Sequence, residues 1–177
     1  GNGLARALKI SRNTKQAIEI INRQQVKKID AGYANEHLFL SNAGVGFDAH
    51  IAQRFAENNK RGLRNYAALV INSFWKYKPC EYTLTIDWIN YNEKAFFIAI
   101  ANGNQFGYEF KIAPDARLDD ALLDVCIMKP LRWYNLLAII RQSLQGNYNS
   151  KYVKYFQGKE ISITAENLEW MQVDGDA

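Results

Sequence analysis

The middle of the chain carries apolar side chains at every second position, a period that suits a β-strand and not an α-helix. In residues 82–88, Tyr, Leu, Ile and Trp alternate with Thr and Asp, which is typical of a strand with one buried face. Residues 95–101 form a nearly continuous apolar run, typical of a strand buried on both faces, and residues 122–128 predict another strand. The chain is therefore expected to fold around β-sheet.

Other segments predict helices, because their apolar residues recur every three or four positions. The predicted helices cover residues 4–8, 14–23 (capped by Asn13 or Thr14), 49–55, 66–77 (ended by Pro79) and 133–144 (ended by Gly146). Further strands are predicted at 26–33, 38–41, 152–156, 161–164 and 168–173, with a break at 44–46 and a turn at 90–92. Strands outnumber helices and come mostly as hairpins. The predicted fold is mainly β with flanking helices (α+β), an antiparallel β-sandwich or open barrel in one domain.

Composition limits the partners and the chemistry. The chain of 177 residues has a net charge of +4 and a pI near 9.0, which suits an anionic partner such as phosphate or an acidic membrane. Basic residues form no stripe with aromatic ones, so nucleic acid is not expected. Two cysteines, Cys80 and Cys126, predict buried, reduced thiols in a cytosolic protein. The sequence has two histidines, His37 and His50, and no Cys/His cluster with zinc spacing, so neither a zinc site nor a Ser-His-Asp triad is expected.

Two glycine-containing segments have the composition of ligand-binding turns. The first, residues 1–6, is a glycine-rich turn opening a helix, which can present backbone N–H groups to a phosphate or simply be a turn. The second, residues 42–49, has two closely spaced glycines that allow close approach of a ligand or another chain segment. Asp48 in this segment is either a helix cap or a ligand-binding group.

Two acidic segments are candidates for catalysis or metal binding. Residues 113–124 hold four carboxylates, and such a turn either binds a hard cation with backbone carbonyls and water or is simply a solvated acidic turn. Residues 173–176 run from a strand into an Asp-Gly turn flanked by carboxylates. That turn either holds a general base or is an ordinary surface β-turn.

Taken in order, these segments resemble the diacylglycerol kinase catalytic family, which includes bacterial lipid kinases and sphingosine and ceramide kinases. Six stretches of the chain match stretches of the family in order. Residues 1–8 match G-[ST]-G-N-x-x-A-R, residues 29–32 match x-D-x-G, and residues 41–49 match F-x-N-x-x-G-x-G-x-D-A. Residues 99–103 match v-x-N-G, residues 113–125 match A-P-x-A-x-x-D-D-G-x-L-D-V, and residues 173–176 match x-D-G-E. The resemblance implies a two-domain fold similar to that of NAD kinases, in which this chain is the C-terminal β-sandwich domain.

The resemblance also implies an activity, the transfer of the γ-phosphoryl group of ATP to a lipid hydroxyl with Mg²⁺ as cofactor. The implied nucleotide-site residues are Gly1, Asn2 and Gly3. The implied general base is Asp176, which stands where the family has Glu, so its reach is shorter by about 1.5 Å, one C–C bond. Gly3 replaces an Asp of many bacterial members, which favours a long-chain-base or other lipid substrate over diacylglycerol.

A second, structural Mg²⁺ site is implied in the acidic turn. Its ligands would be the Asp120 side chain and the carbonyls of Arg117 and Leu122. The family's Gly after Asp-Asp is Ala121 here, and a positive φ at that position would strain an alanine.

The family's G-G-D-G-T nucleotide motif is missing from this sequence. We therefore expect residues 1–177 to be the lipid-side domain, with 1–10 a remnant of the nucleotide-site motif and the isolated chain inactive. The expected partners are ATP and a lipid at the membrane surface. The protein is expected to be cytoplasmic and peripheral to the inner membrane face. The sequence leaves open whether the protein forms a homodimer.

Two alternative functions compete with the lipid kinase. One is a non-catalytic module of the same fold that binds a lipid or a partner through an aromatic surface around Phe74, Trp75, Trp133 and Tyr134. The other is a NAD-kinase-like enzyme acting on a soluble dinucleotide. Residues 66–77 and 131–133 are candidate membrane-contact surfaces, and the alternative, which we favour, is that their apolar faces belong to the core.

Overall fold

The computed structural model describes residues 3–11, 13–57, 62–105, 110–148 and 151–176. The helices in those residues are α1 (Gly3–Ala7), α2 (Thr14–Asn22), α3 (Phe47–Glu57), α4 (Leu63–Phe74) and α5 (Leu136–Gln145), with a 3-10 helix at Trp133–Asn135. The strands are β1 (Gly32–Ala34), β2 (His37–Phe39), β3 (Asn42–Gly46), β4 (Cys80–Ile86), β5 (Ile89–Ala95), β6 (Phe97–Ala101), β7 (Leu123–Met128), β8 (Val153–Gly158), β9 (Ile161–Thr164) and β10 (Met171–Val173).

The strands form a five-stranded sheet in the order β10-β3-β6-β7-β8, a three-stranded sheet in the order β5-β4-β9, and the β1-β2 hairpin. The strand pairs of the described residues are antiparallel. The two larger sheets pack face to face, so the predicted antiparallel β-sandwich with flanking helices is confirmed.

The five-stranded sheet has a hydrophobic core on each face. Ile98 and Ile127 point to one face and pack with Leu84 of the three-stranded sheet. Their neighbours Ala99 and Cys126 point to the other face, in a cluster that includes residues of α3 and α5. Burial on both faces explains why β6 is apolar at successive positions.

Four local predictions are wrong, one of them the strand at 168–173, of which only Met171–Val173 is a strand. Residues 26–31 are irregular instead of a strand, and Val26 is exposed. Residues 44–46, the predicted break, lie inside β3, where Gly44 makes room for a side chain of α3. The predicted turn at 90–92 lies within β5, because the chain reverses at Asp87 and Trp88, which both have positive φ (43° and 74°).

The helix ends follow the predicted capping. The Asn13 side chain accepts hydrogen bonds from the N–H groups of Lys15 and Gln16. Gly146 ends α5 in the left-handed conformation, with φ 67°. Both cysteines are free thiols, but only Cys126 is buried, since Cys80 is half-buried. Among the described residues, none of the helices combines the length and the apolar character that crossing a membrane requires.

Candidate functional site

The segments with functional motifs meet at one end of the five-stranded sheet. Asn42 at the start of β3 pairs with Ala101 at the end of β6, and Ala101 pairs with Asp124 near the start of β7. On the other side, Ala43 of β3 pairs with Val173 at the end of β10. Because neighbouring strands are antiparallel, these beginnings and ends share one sheet edge.

Asp174 anchors the last of these segments to the start of β3. Its carboxylate accepts hydrogen bonds from the backbone N–H groups of Leu40 (2.9 Å), Ser41 (2.7 Å) and Asn42 (3.0 Å). Its own N–H donates to the carbonyl of Asn42 at 2.8 Å. No separate role was predicted for Asp174. The signal for one was a second carboxylate two residues before the predicted base.

Asp176 follows a tight turn and is exposed. Asp174 and Gly175 both have positive φ (51° and 96°), the conformation that Asp-Gly adopts in a two-residue hairpin turn. The backbone of Asp176 pairs with Val173 through two hydrogen bonds of 2.7 and 3.0 Å. The turn therefore holds the backbone of the predicted base at the sheet edge and leaves its carboxylate accessible.

Asp48 is a buried carboxyl group behind this turn. It lies in the first turn of α3, and its Oδ1 accepts a hydrogen bond from the Ala49 N–H at 2.8 Å. Burial raises the pKa of Asp48 to about 7. A Cβ at Gly44 would come within 2.1 Å of Asp48 Oδ2, so this carboxyl fits only because residue 44 is glycine. The structure thus places Asp48 inside the protein rather than at an exposed helix cap.

Gln172 connects the buried carboxyl to the terminal turn. Its Nε2 donates to Asp48 Oδ2 at 3.3 Å and to Asn42 Oδ1 at 2.8 Å. Its Oε1 accepts from the Gly175 N–H at 2.9 Å. Gln172 is buried at the central position of β10. It was not predicted as a functional residue, although a polar residue in the buried register of a strand was the available signal.

Asn102 ties three segments together just beyond the end of β6. Its Nδ2 donates to the carbonyls of Asp30 (2.8 Å) and Leu40 (2.9 Å), and the side chain is fully buried. The backbone N–H groups of Asn102 and Gly103 both donate to the Ser41 carbonyl. The Asn-Gly pair therefore connects the segments that precede β1 and β3.

Asp30 holds the acidic turn against this network. Its Oδ2 accepts from the Ala121 N–H at 2.7 Å, and its N–H donates to the Leu118 carbonyl at 2.7 Å. Ala121 has a φ of 58°, so the left-handed conformation considered for this position is present on an alanine. Asp120 Oδ1 accepts from the Leu122 N–H at 3.1 Å, which closes the turn.

The acidic turn is electrostatically suited to a cation. Asp124 is buried, and burial together with the charges of Asp120 and Asp115 raises its pKa, although Gln157 donates a hydrogen bond to it at 3.2 Å. The buried Oδ2 of Asp124 has no hydrogen-bond partner among the described residues. Asp115 and Asp124 also line a cavity of about 320 Å³. A hard cation here would offset the mutual repulsion of these carboxylates.

The predicted metal ligands lie together on this turn, but their carbonyl geometry remains a prediction. The Arg117 side chain pairs with Asp119 at 3.3 Å, which leaves its backbone carbonyl as the proposed ligand. Within the described residues, no three side chains of His, Cys, Asp or Glu converge as a metal-binding group. A site at Asp120 would therefore depend on backbone carbonyls and water.

The nucleotide-site residues are only partly covered. Gly1 and Asn2 lie outside the described residues, and Gly3 is the first residue of α1. Ala7, in α1, lines a cavity of about 170 Å³ together with Lys27, Asn104 and residues 116–119. Helix α1, which begins at Gly3, thus lies beside the acidic turn.

Comparison with known proteins agrees with this geometry. The family model for the YegS C-terminal NAD kinase beta sandwich-like domain matches residues 41–177. "Probable lipid kinase YegS-like" of Shewanella frigidimarina is 24% identical over 99% of this chain and 57% of that protein. The diacylglycerol kinase of Bacillus subtilis is 23% identical over 99% of this chain and 59% of that protein. A crystal structure of a diacylglycerol kinase from Bacillus anthracis superposes with a TM-score of 0.71 at 19% identity, covering 98% of this chain and 56% of that one. The chain thus spans well under two thirds of these relatives.

Proposed function

Since the chain belongs to the family of YegS C-terminal NAD kinase beta sandwich-like domains, we propose that it is the lipid-side domain of a kinase that transfers the γ-phosphoryl group of ATP to a lipid hydroxyl. One observation carries the proposal: hydrogen bonds join the motif segments at a single sheet edge. Asp30 bonds the acidic turn, Asn102 bonds Asp30 and Leu40, and Asp174 bonds the start of β3.

Asp176 is the proposed general base. Phosphoryl transfer depends mainly on positioning and charge neutralisation, and one carboxylate near the reacting hydroxyl accepts its proton. Asp176 is exposed at the sheet edge, so a hydroxyl group can reach it. Asp174 and Gln172 hold the turn before it and are positioning residues.

The proposed cofactors are ATP and Mg²⁺. Gly1, Asn2 and Gly3 would contribute backbone N–H groups to an ATP phosphate. Asp120, with the carbonyls of Arg117 and Leu122, would hold a structural Mg²⁺, a donor set that suits a hard cation. When bound at the phosphates, Mg²⁺ supplies neutralisation of the charge on the transferred group.

The proposed substrate is a membrane lipid with a free hydroxyl, either diacylglycerol or a sphingoid-type lipid. The name of the Bacillus subtilis relative favours diacylglycerol, whereas Gly3 favours a long-chain base. The proposed location is the cytoplasmic face of the inner membrane. The second candidate, a non-catalytic lipid-binding module, is favoured by the exposure of Trp75 and Trp133.

The test is a phosphorylation assay on the full-length protein with labelled ATP, Mg²⁺ and a panel containing diacylglycerol and sphingoid bases. A labelled lipid that disappears in Asp176→Asn but persists in Glu169→Gln, an exposed carboxylate on the loop before β10, would establish the activity and the substrate class. ATP binding without any labelled lipid would favour the non-catalytic module. The isolated chain is expected to be inactive in the same assay.

A further inference from the structure

Two tryptophans from different helical segments stand side by side on the protein surface. Trp75 directly follows α4, and Trp133 begins the 3-10 helix before α5. Their side chains are 64% and 63% exposed, with ring centroids 6.3 Å apart. Phe74, the neighbour of Trp75, is buried in the core. The expectation of a core position is therefore confirmed for the apolar face of residues 66–77, which packs against the core, and is wrong for Trp133.

Further apolar side chains extend this surface. Ile71 is 51% exposed and precedes Trp75 by four residues, so both lie on one face of α4. Tyr134 contacts Trp133, with ring centroids 5.9 Å apart, and Leu137 is 80% exposed on the first turn of α5. We call these five residues (Ile71, Trp75, Trp133, Tyr134 and Leu137) the aromatic patch. A cluster of large exposed apolar side chains of this kind marks an interaction surface.

The charge of the surrounding sequence is entirely positive. Residues 58–80 and 125–159, which contain the whole patch, hold 11 of the 22 Lys and Arg residues and none of the 18 Asp and Glu residues. Lys76 and Lys78 are exposed beside Trp75. Arg132 donates a hydrogen bond to the Tyr134 hydroxyl at 3.0 Å, which places a guanidinium at the patch itself.

We propose that the aromatic patch docks the protein on an anionic membrane surface. Tryptophan and tyrosine favour the interface between lipid headgroups and acyl chains, and Ile71 and Leu137 add aliphatic surface that can enter it. The flanking Lys and Arg side chains would contact anionic headgroups. The patch therefore has both the apolar and the electrostatic component of an interfacial anchor.

A second copy of the chain fits this surface less well. A two-fold contact through the patch would bring Arg132 and Lys76 of each copy towards the same cations of the other. Neither of the two segments offers a carboxylate to compensate. A nucleic acid is disfavoured because Ile71 and Leu137 cannot stack on bases.

Docking at the aromatic patch would bring the proposed kinase site to a lipid in the membrane, and only this purpose of the docking rests on the proposed function. The experiment measures sedimentation of the full-length protein with vesicles of phosphatidylcholine alone or mixed equally with phosphatidylglycerol. The Trp75→Ser/Trp133→Ser double variant is expected to lose about tenfold or more of the partition onto anionic vesicles. Trp88→Asn is the matched control, because Trp88 is 85% exposed at the β4–β5 turn, next to Asp87, and lies outside the patch.

A charge variant tests the second component without removing apolar surface. Lys76→Gln/Arg132→Gln is expected to weaken binding to anionic vesicles, with the largest loss at low salt, and to leave the weak binding to neutral vesicles unchanged. Thermal unfolding equal to that of the unchanged protein verifies that each variant is folded.

Three outcomes overturn the inference: equal vesicle binding by the double variant and Trp88→Asn, a double variant that dissociates a dimer while still binding vesicles, or patch-dependent binding of an oligonucleotide in preference to vesicles. Phosphorylation of a detergent-solubilised lipid, measured in parallel, separates this inference from the proposed function. Loss of vesicle binding with intact solution activity supports both. Patch-dependent vesicle binding without phosphorylation of any lipid would support the docking surface and contradict the proposed kinase activity.

Discussion

The side-chain amide of Gln172 lies 3.3 Å from the carboxyl oxygen of Asp48 and donates a hydrogen bond to it, while the other end of the same amide accepts from Gly175. A group inside the protein is thereby connected to the turn that carries Asp176. Gln172 is buried and Asp48 is half-buried, so Gln172 cannot exchange these partners for water without local opening. The position of the proposed base therefore depends on a residue that does not touch the substrate.

Replacing Gln172 by leucine should disturb this connection while keeping a similar volume. Gln172→Leu leaves Asn42 Oδ1 and the Gly175 N–H without their partner, which should cost about 2 kcal/mol of unfolding free energy. In the full-length enzyme kcat should fall with little change in KM for ATP, because the turn and not the nucleotide site is loosened. Denaturant unfolding and steady-state kinetics measure the two effects.

Gln53→Leu is the control for Gln172→Leu, since Gln53 forms an exposed hydrogen bond with Glu57 on α3. It should leave stability and activity nearly unchanged. Equal kinetics for both variants would mean that Gln172 does not position the turn.

Asp48 should make stability depend on pH. Burial raises its pKa from 3.8 to about 7 in the folded protein, so between these values the folded state keeps a proton that the unfolded chain releases. Stability should therefore fall as pH rises through this window, by at most about 1.4 kcal/mol per pH unit.

The variant Asp48→Asn cannot titrate and should lose this component. Its stability should be close to that of the unchanged protein near pH 4, where both side chains are neutral in the folded state, and should exceed it increasingly as the pH approaches 7. Urea unfolding at several pH values measures the gap. A gap that stays constant across the range would show that Asp48 is ionised in the folded state.

Ala121→Gly should stabilise the protein. Ala121 has a φ of 58°, which glycine adopts without the steric cost that alanine incurs, and the net gain should be about 0.5–1 kcal/mol after the entropy of glycine is subtracted. The midpoint of thermal unfolding should rise by about 2–4 °C per kcal/mol. Ala68→Gly, on an exposed position of α4, should instead destabilise by about 1 kcal/mol.

The two carboxylates of the terminal turn should respond differently to the same substitution. Asp174→Asn weakens a carboxylate that accepts three backbone N–H groups, so it should lower the unfolding free energy by about 1–2 kcal/mol. Asp176→Asn should leave stability unchanged and reduce kcat of the full-length enzyme by about 10² or more. Normal kcat in folded Asp176→Asn would exclude Asp176 as the base.

Mg²⁺ should stabilise the chain through the acidic turn. Binding to the folded state alone raises the unfolding midpoint in a concentration-dependent manner. Asp120→Asn should abolish the rise. Asp119→Asn should retain it, because the carboxylate of Asp119 is paired with Lys27 at 3.2 Å and Arg117 at 3.3 Å. The same rise in both variants would place the ion elsewhere.

Much of the fold follows from local pattern. Apart from β5, the strands and helices from β4 to β9 were predicted from period and from turn residues, because burial of one or both faces leaves a direct trace in the order of apolar side chains. Prediction failed at 26–31, 44–46 and 90–92, where strand-like or turn-forming residue types did not match the structure that the segment adopts. Gly44 is in a strand because it pairs with β6 and β10, and residue 44 is glycine because a Cβ would meet the carboxyl group of Asp48.

The sequence by itself determined the β-rich architecture and the identity of the candidate site segments, since residue types and their spacing are local properties. Only the tertiary structure decided which hydrogen-bond partners each carboxylate has. Asp174 and Asp176 are two residues apart, chemically identical and both exposed, yet the carboxylate of Asp174 accepts hydrogen bonds from three backbone N–H groups, whereas Asp176 is held at the turn through its backbone. Asp48, Gln172 and the paired Trp75 and Trp133 likewise acquire their roles from contacts across the chain, because burial and hydrogen-bond partners depend on residues that are distant in sequence.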